Sequence, residues 1–243
     1  AIGYAGEGLV GDFRAYCYFE LHIEQGPVLD LAGETIGAVT GVQGIYWTEF
    51  RISGVANHAG TTPMQNRHDA GYVAARIAVQ AREIARAAGG NQVANAGFLR
   101  LGPGLVNVVA GDATVTIDFR NTDVKALKRA TDELIEFAEH TAAEEGCEIA
   151  VHPHVRLDPV EFDGEMVALV EDTARAQGRS VRRMHSGAGH DAQTFAANCP
   201  AAMIFVPSQN GISHNVTEYT APEDIRAGAD VLLQALLEKA GEI

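Results

Sequence analysis

The sequence is short of cysteine, of basic residues and of long apolar runs, and each shortage excludes something. Its three cysteines, Cys17, Cys147 and Cys199, are widely separated and odd in number, with no C-x-x-C pair. That argues against a disulfide framework and a thiolate zinc site, and it fits reduced, mostly buried thiols in a cytoplasmic chain. Lys and Arg total 18 against 32 Asp and Glu, a formal net charge of -14. A nucleic-acid footprint needs a basic face, and anionic membrane surfaces attract basic segments, so neither partner is expected. No apolar run approaches the ~18 residues of a transmembrane helix. The opening AIGYAGEGLVGDF has neither the basic nor the apolar region of a signal peptide. No repeat period or low-complexity tract is present.

What is present reads as folded and mixed. The chain has 243 residues, 47% hydrophobic and 21% charged, enough for one large domain or two ordinary ones. A strand is expected over Ala15 to Ile23, with Phe19, Leu21 and Ile23 on one face and Glu20, His22 and Glu24 on the other. Strands around Thr35 to Val42 and Tyr46 to Ser53 precede a helix over about Asp69 to Ala88, stopped by Gly89-Gly90. Strands at Ala96 to Leu101 and Ala113 to Phe119, a helix over about Val124 to Glu145 and the strand CEIAVHPHV complete that group. Helices separated by strand pairs predict an antiparallel sheet with two helices on one face. From Arg156 the rhythm changes to a helix (Glu165 to Gln177), a glycine-rich loop, a buried strand (Ala201 to Val206) and a helix from about Pro222. The expected architecture is α/β in two domains. Residues 1–36 and 156–243 form an α/β domain, interrupted by an inserted α+β domain at 37–155.

Four polar clusters sit in turns. His22-Ile23-Glu24-Gln25-Gly26 ends a strand; His22 reads as a structural residue or as a metal ligand oriented by a neighbouring acceptor. Asn57 to Pro63, NHAGTTP, reads as a helix-entry loop capped by Thr61 or Thr62, or as a site where exposed His58 polarises a substrate carbonyl. Ser186 to Ala192, SGAGHDA, fits G-x-G-x-x-A only formally, with no acidic residue ending a following strand. A loop whose backbone approaches a small ligand is the better reading. There is no G-x-S-x-G around Ser186, so no serine-hydrolase elbow. Ser208 to Asn215 follows a buried strand, where α/β domains place sites, and His214 reads as a ligand or a loop residue.

Taken in order and spacing, ELHIEQGP, SGxxNHAGTTPM, SGAGHDA and GISHNxxE resemble the N-carbamoyl-L-amino acid hydrolase and allantoate amidohydrolase group. This group belongs to the zinc-dependent aminoacylase/carboxypeptidase (M20-type) family. The resemblance implies a catalytic α/β domain with an inserted lid that forms a homodimer contact, and two divalent ions per subunit, zinc or manganese, cobalt or nickel. Position by position, it implies metal ligation by His22 and His214. His58 would stabilise an oxyanion, and Gln25, Asn107, Arg120 and Gly189 would hold the substrate, with Arg120 on its carboxylate.

Members place their remaining ligands before the strand holding His22. Here that stretch offers only Glu7, Asp12 and Glu20, none in a matching motif. The sequence is therefore expected to be the C-terminal portion of an amidohydrolase acting on N-carbamoyl-L-amino acids, with an incomplete metal site and no turnover alone. Allantoate and N-carbamoyl-β-alanine are alternative ureido-carboxylate substrates. The competing class is a dimerising or ligand-binding relative without catalysis.

Overall fold

The structure, a computed structural model, describes Gly3, Gly6 and residues 14–241; Glu7 and Asp12 lie outside the described residues. In chain order the elements begin β1 (Tyr18–Ile23), α1 (Val28–Ala32), β2 (Ile36–Val42), β3 (Gly44–Ser53), β4 (Asn57–His58) and α2 (Ala70–Ala88). There follow β5 (Val93–Gly102), β6 (Val108–Val109), β7 (Asp112–Asn121), α3 (Val124–Glu145) and β8 (Glu148–Leu157). The chain continues through β9 (Val160–Glu161), α4 (Gly164–Ala176), β10 (Val181–Ser186), α5 (Asp191–Phe195), β11 (Ala201–Val206) and α6 (Pro222–Gly241). These elements divide into two compact units, residues 1–42 with 160–243, and Gln43–Pro159.

In the first unit the sheet order is β1-β11-β2-β10, with the short β9 added on β2. β1 and β11 are parallel, β11 and β2 antiparallel, and β2 and β10 parallel. All six residues of β11, AAMIFV, are buried, which is why this strand reads as a continuous apolar run rather than an alternating one. Its core gathers Leu29, Val39, Val170, Phe205 and Val231 from sheet and helices.

The second unit carries a four-stranded antiparallel sheet in the order β5-β7-β3-β8. β7 alternates strictly, so Ala113, Val115, Ile117 and Phe119 face one side and are buried. Onto that side pack α2 through Val73, Ile77, Ala81 and Ile84, and α3 through Leu127, Leu134 and Ala138. Asp69 and Asp123 cap these helices, each side chain accepting from two backbone N–H groups of the first turn. Those N–H groups hold the Asp123 carboxyl below the ordinary carboxylate range.

Three expectations change. The strand at residues 36–42 belongs to the first unit, not the insertion, because β2 fills the gap between β11 and β10; the insertion runs 43–159 rather than 37–155. The cap of α2 is Asp69, not Thr61 or Thr62, with a separate 3-10 turn at Met64–Asn66 intervening. An additional strand, β10, occupies part of the segment read as loop; its VRRMHS sequence is an edge strand whose Arg182 and Arg183 side chains point to water and to Glu34 and Glu171. Among the described residues no helix is long and apolar enough to cross a membrane.

Leu134 is 1% exposed in the second core and Leu233 is 58% exposed on α6. Leu134→Ala is expected to lower unfolding stability by about 2–5 kcal/mol, and Leu233→Ala by no more than about 0.5 kcal/mol. Urea unfolding of the two variants measures the difference.

Candidate functional site

In the first unit, β1 and β11 end together at Ile23 and Val206, and the loops that follow are tied to each other. Glu24 continues the ladder, its N–H donating to the Val206 carbonyl at 2.9 Å. Its buried carboxylate accepts from the N–H groups of Val28 and Leu29, both at 2.8 Å, and so anchors the start of α1. Gln25 adopts a left-handed φ of 59°. Its N–H donates to Ser208 Oγ at 2.9 Å, and its Nε2 donates to Ser213 Oγ at 3.1 Å. The Ser213 hydroxyl in turn donates to the Glu218 carboxylate, which also accepts the His214 N–H at 3.2 Å. These two donors hold the Glu218 carboxyl below the usual range. The turn needs Gly211, whose φ is 65° and whose absent Cβ would lie 2.6 Å from Pro27 Cβ.

His22 Nδ1 lies 2.8 Å from the Ile23 carbonyl oxygen. A carbonyl only accepts, so the neutral ring carries its proton on Nδ1 and leaves the Nε2 lone pair unprotonated. That is the second-sphere arrangement of a metal-ligating imidazole. The ring of His190 meets it edge-on, with centroids 4.7 Å apart. His190 is the residue sequence reasoning passed over within SGAGHDA, where only Gly189 drew notice. Gly189 itself is exposed in the loop between β10 and α5. The signal for His190 was its position after three small residues, which let the loop fold down onto β1. Its side chain is 2% exposed, and Nε2 is 2.8 Å from Ser186 Oγ. Burial, with the neighbouring His22 adding to it, pushes its pKa down to about 4. The ring is therefore neutral at pH 7, and the 3.7 Å approach of Glu20 to Nδ1 is not an ion pair there. Glu20 instead accepts the Ala192 N–H at 2.7 Å, fixing α5 to β1.

His22 therefore has an uncommitted Nε2, and His214 stands on the neighbouring loop with a left-handed φ of 54°. Among the described residues no group of three or more His, Cys, Asp or Glu is placed to hold a metal ion. A ligand shell is not closed by them.

In the second unit, β4 pairs with β6, setting His58 opposite Val108, and the Ala59 N–H donates to the Asn107 carbonyl at 2.9 Å. His58 and Asn107 are therefore adjacent. His58 Nδ1 accepts two backbone N–H groups, Gly60 at 3.0 Å and Thr61 at 3.2 Å. With Nδ1 occupied as an acceptor, the neutral ring carries its proton on Nε2, as a donor. Gly60 permits this fold of the ring over the turn, since a Cβ there would stand 3.3 Å from His58 Cε1.

Arg120 lies elsewhere. It sits in β7 opposite Ile45 of β3, and its guanidinium is clasped by Asp118, Nη2 to Oδ2 at 2.7 Å and Nε to both carboxylate oxygens at 3.1 Å. β4 and β6 adjoin the Asp112 end of β7. At ~3.3 Å per strand residue, Arg120 is about 26 Å along the sheet from Asp112.

Residues 2–238 match the sequence profile of peptidase family M20/M25/M40. Among the similar proteins, an N-carbamoyl-L-amino-acid amidohydrolase of Rhizobium meliloti is 38% identical over 243 residues, covering 98% of this chain and 58% of that protein. An allantoate amidohydrolase of Escherichia coli is 40% identical over 229 residues, covering 94% of this chain and 55% of that protein. A crystal structure of an amidase of the hydantoinase/carbamoylase family from Burkholderia vietnamiensis superposes with a TM-score of 0.92 at 39% identity, over 98% of this chain and 58% of that one. The chain thus spans little more than half the length of these relatives.

The geometry of the 208–214 loop gives a direct expectation. Gly211→Ala, strained by its positive φ and by contact with Pro27, should destabilise the first unit by more than ~1 kcal/mol. In NMR spectra it should displace the Gln25 side-chain amide and His214 N–H signals while leaving those of β7 in place.

Proposed function

This chain belongs to peptidase family M20/M25/M40, and from that membership we propose that it supplies the lid and part of the catalytic domain of a metal-dependent amidohydrolase. The bond cleaved is the ureido C–N bond of a carbamoyl compound that carries a carboxylate, with N-carbamoyl-L-amino acids as the leading class. Allantoate and N-carbamoyl-β-alanine share the same two recognition groups. The names of the Rhizobium and Escherichia relatives support the ureido chemistry.

The observation that carries this reading is the tautomer of His58. Hydrolysis of a ureido group places negative charge on the carbonyl oxygen, and a preorganised neutral N–H donor is what stabilises it. In its neutral form His58 is such a donor, since Nδ1 accepts the Gly60 and Thr61 amides and the proton is left on Nε2. Asn107, in the turn just before β6, is assigned to a hydrogen bond with the same substrate. Arg120, oriented by Asp118, is assigned to the carboxylate as a planar, permanently charged donor. Gln25 and the backbone around Gly189 are assigned to the substrate's polar atoms from the first unit. His22, through Nε2, and His214 would hold a divalent ion. Such an ion, when bound, supplies Lewis acidity and lowers the pKa of a coordinated water.

The placement of Arg120 supports a dimer. A carbamoyl amino acid spans about two residues of extended chain, roughly 7 Å. Arg120, about 26 Å along β7 from the end that the separate β4–β6 ribbon adjoins, would then serve a different substrate molecule from His58 and Asn107, and two copies of the inserted unit would complete each site. The second reading, a relative that binds ligands without turnover, is favoured by one observation: no three-ligand metal group among the described residues.

Metal analysis and an N-carbamoyl amino acid assay on the 243-residue chain separate the two. The expected result is fewer than two tightly bound ions and no turnover from this chain alone, with activity where the full ligand set is supplied. Hydrolysis by the chain alone, with two ions bound, overturns the incompleteness. In an enzyme with the full ligand set, His58→Ala should lower kcat by about 10²–10³-fold. There Arg120→Ala should lower kcat/KM mainly for carboxylate-bearing substrates, and an unchanged kcat/KM would remove Arg120 from the site.

A further inference from the structure

The turn that fixes His58 is itself held by one side chain. Arg67 follows the short 3-10 turn at Met64–Asn66 and folds back across residues 58–62. Its Nη2 donates to the Ala59 carbonyl at 2.6 Å and its Nε to the Thr62 carbonyl at 3.2 Å. Thr62 closes the other side, its N–H and hydroxyl both donating to the His58 carbonyl, at 3.1 and 2.7 Å. The Ala59–Gly60 peptide is planar and trans, so its C=O and N–H point in opposite directions. Pinning the Ala59 oxygen on Arg67 therefore aims the Gly60 N–H the other way, at His58 Nδ1.

We propose that Arg67 is a positioning residue for His58: by gripping the Ala59 and Thr62 carbonyls it keeps the Gly60 and Thr61 amides on Nδ1 and so maintains the Nε2–H tautomer. The guanidinium suits this task because its donors form a rigid fork, so two carbonyls three residues apart are held at a fixed separation. A lysine at the same position carries a single ammonium on a flexible stem and grips less firmly. The consequence for catalysis rests on the assignment of His58 as the oxyanion donor; the consequence for the tautomer does not.

The test uses the ¹⁵N-labelled chain, at a pH above the ordinary imidazole value of about 6.5, where the rings are neutral. Long-range ¹H–¹⁵N correlation reads which ring nitrogen of His58 is protonated, and hydrogen exchange reads the Gly60 and Thr61 amides. In the unsubstituted chain Nδ1 is expected to be unprotonated and both amides protected. Arg67→Ala should yield a mixture of His58 tautomers and exchange at Gly60 and Thr61 faster by about tenfold, with the β7 amides unchanged. Arg67→Lys should fall between, and it decides the matter if the alanine variant does not fold. A His58 tautomer that stays Nε2–H in Arg67→Ala, or in Arg67→Lys where the alanine variant does not fold, with unchanged Gly60 and Thr61 exchange, overturns the proposal. Activity of a complete enzyme reports separately. Tautomer loss without loss of kcat leaves the Arg67 role standing and refutes the oxyanion role of His58.

Discussion

β11 is buried along its whole length, and β1 lies parallel to it in unbroken register from Tyr18 opposite Ala201 to Ile23 opposite Val206. This pairing joins the segment before the insertion to the segment after it, across about three-quarters of the chain. Apolar burial of the β11 side chains holds the strand, and the backbone ladder then fixes where β1 must end. Because the two strands end together, the Glu24–Gln25 turn and the Ser208–His214 loop emerge side by side. Their hydrogen bonds, Gln25 to Ser208 and Ser213, can form only in that register. A slip of one residue would also turn His22 from the face it shares with His190 to the face packed against α6.

The two candidate imidazoles are prepared in opposite senses by the same means. At His22 a backbone carbonyl takes the Nδ1 proton and leaves Nε2 as a lone pair, suited to a metal ion. At His58 two backbone amides occupy Nδ1 and leave Nε2 as a donor, suited to developing negative charge. Neither effect requires a charged neighbour. His190 is a third case, kept neutral by burial between His22, Phe205 and Ser186. Three histidines of one sequence thus take three different hydrogen-bonding environments from local structure and burial.

Much of the fold is legible in residue order. The 3.6-residue period of Val73, Ile77 and Ile84 and of Leu127, Leu134 and Ala138 marks α2 and α3, and Gly89 and Gly146 mark their ends. The alternation of Val115, Ile117 and Phe119 marks β7. The edge strand β10 escapes because an edge strand with one solvent face need not be apolar, and Arg182 and Arg183 make it look like a loop. The insertion boundary shifts because β2 is apolar on both faces, and no local pattern says which sheet will take it. The cap of α2 was misplaced because NHAGTTP offers two threonines in cap-like positions, whereas the structure spends Thr62 on the His58 carbonyl.

Residue order alone carries the composition class, the helices, most of the strands and the four motifs that resemble the family. It also marks which residue types stand ready for chemistry, since His22, His58 and His214 each lie within a few residues of a glycine-containing turn. Their burial, hydrogen-bond partners and separation come from folding. The hydrogen bonding of the His58 ring, the neutral buried state of His190 and the placement of Arg120 at the far end of β7 from the β4–β6 ribbon all depend on groups distant in the chain or on backbone directions within a folded turn. Proton placement on an imidazole follows the donors and acceptors around it, and those are assembled by folding rather than carried by the residue.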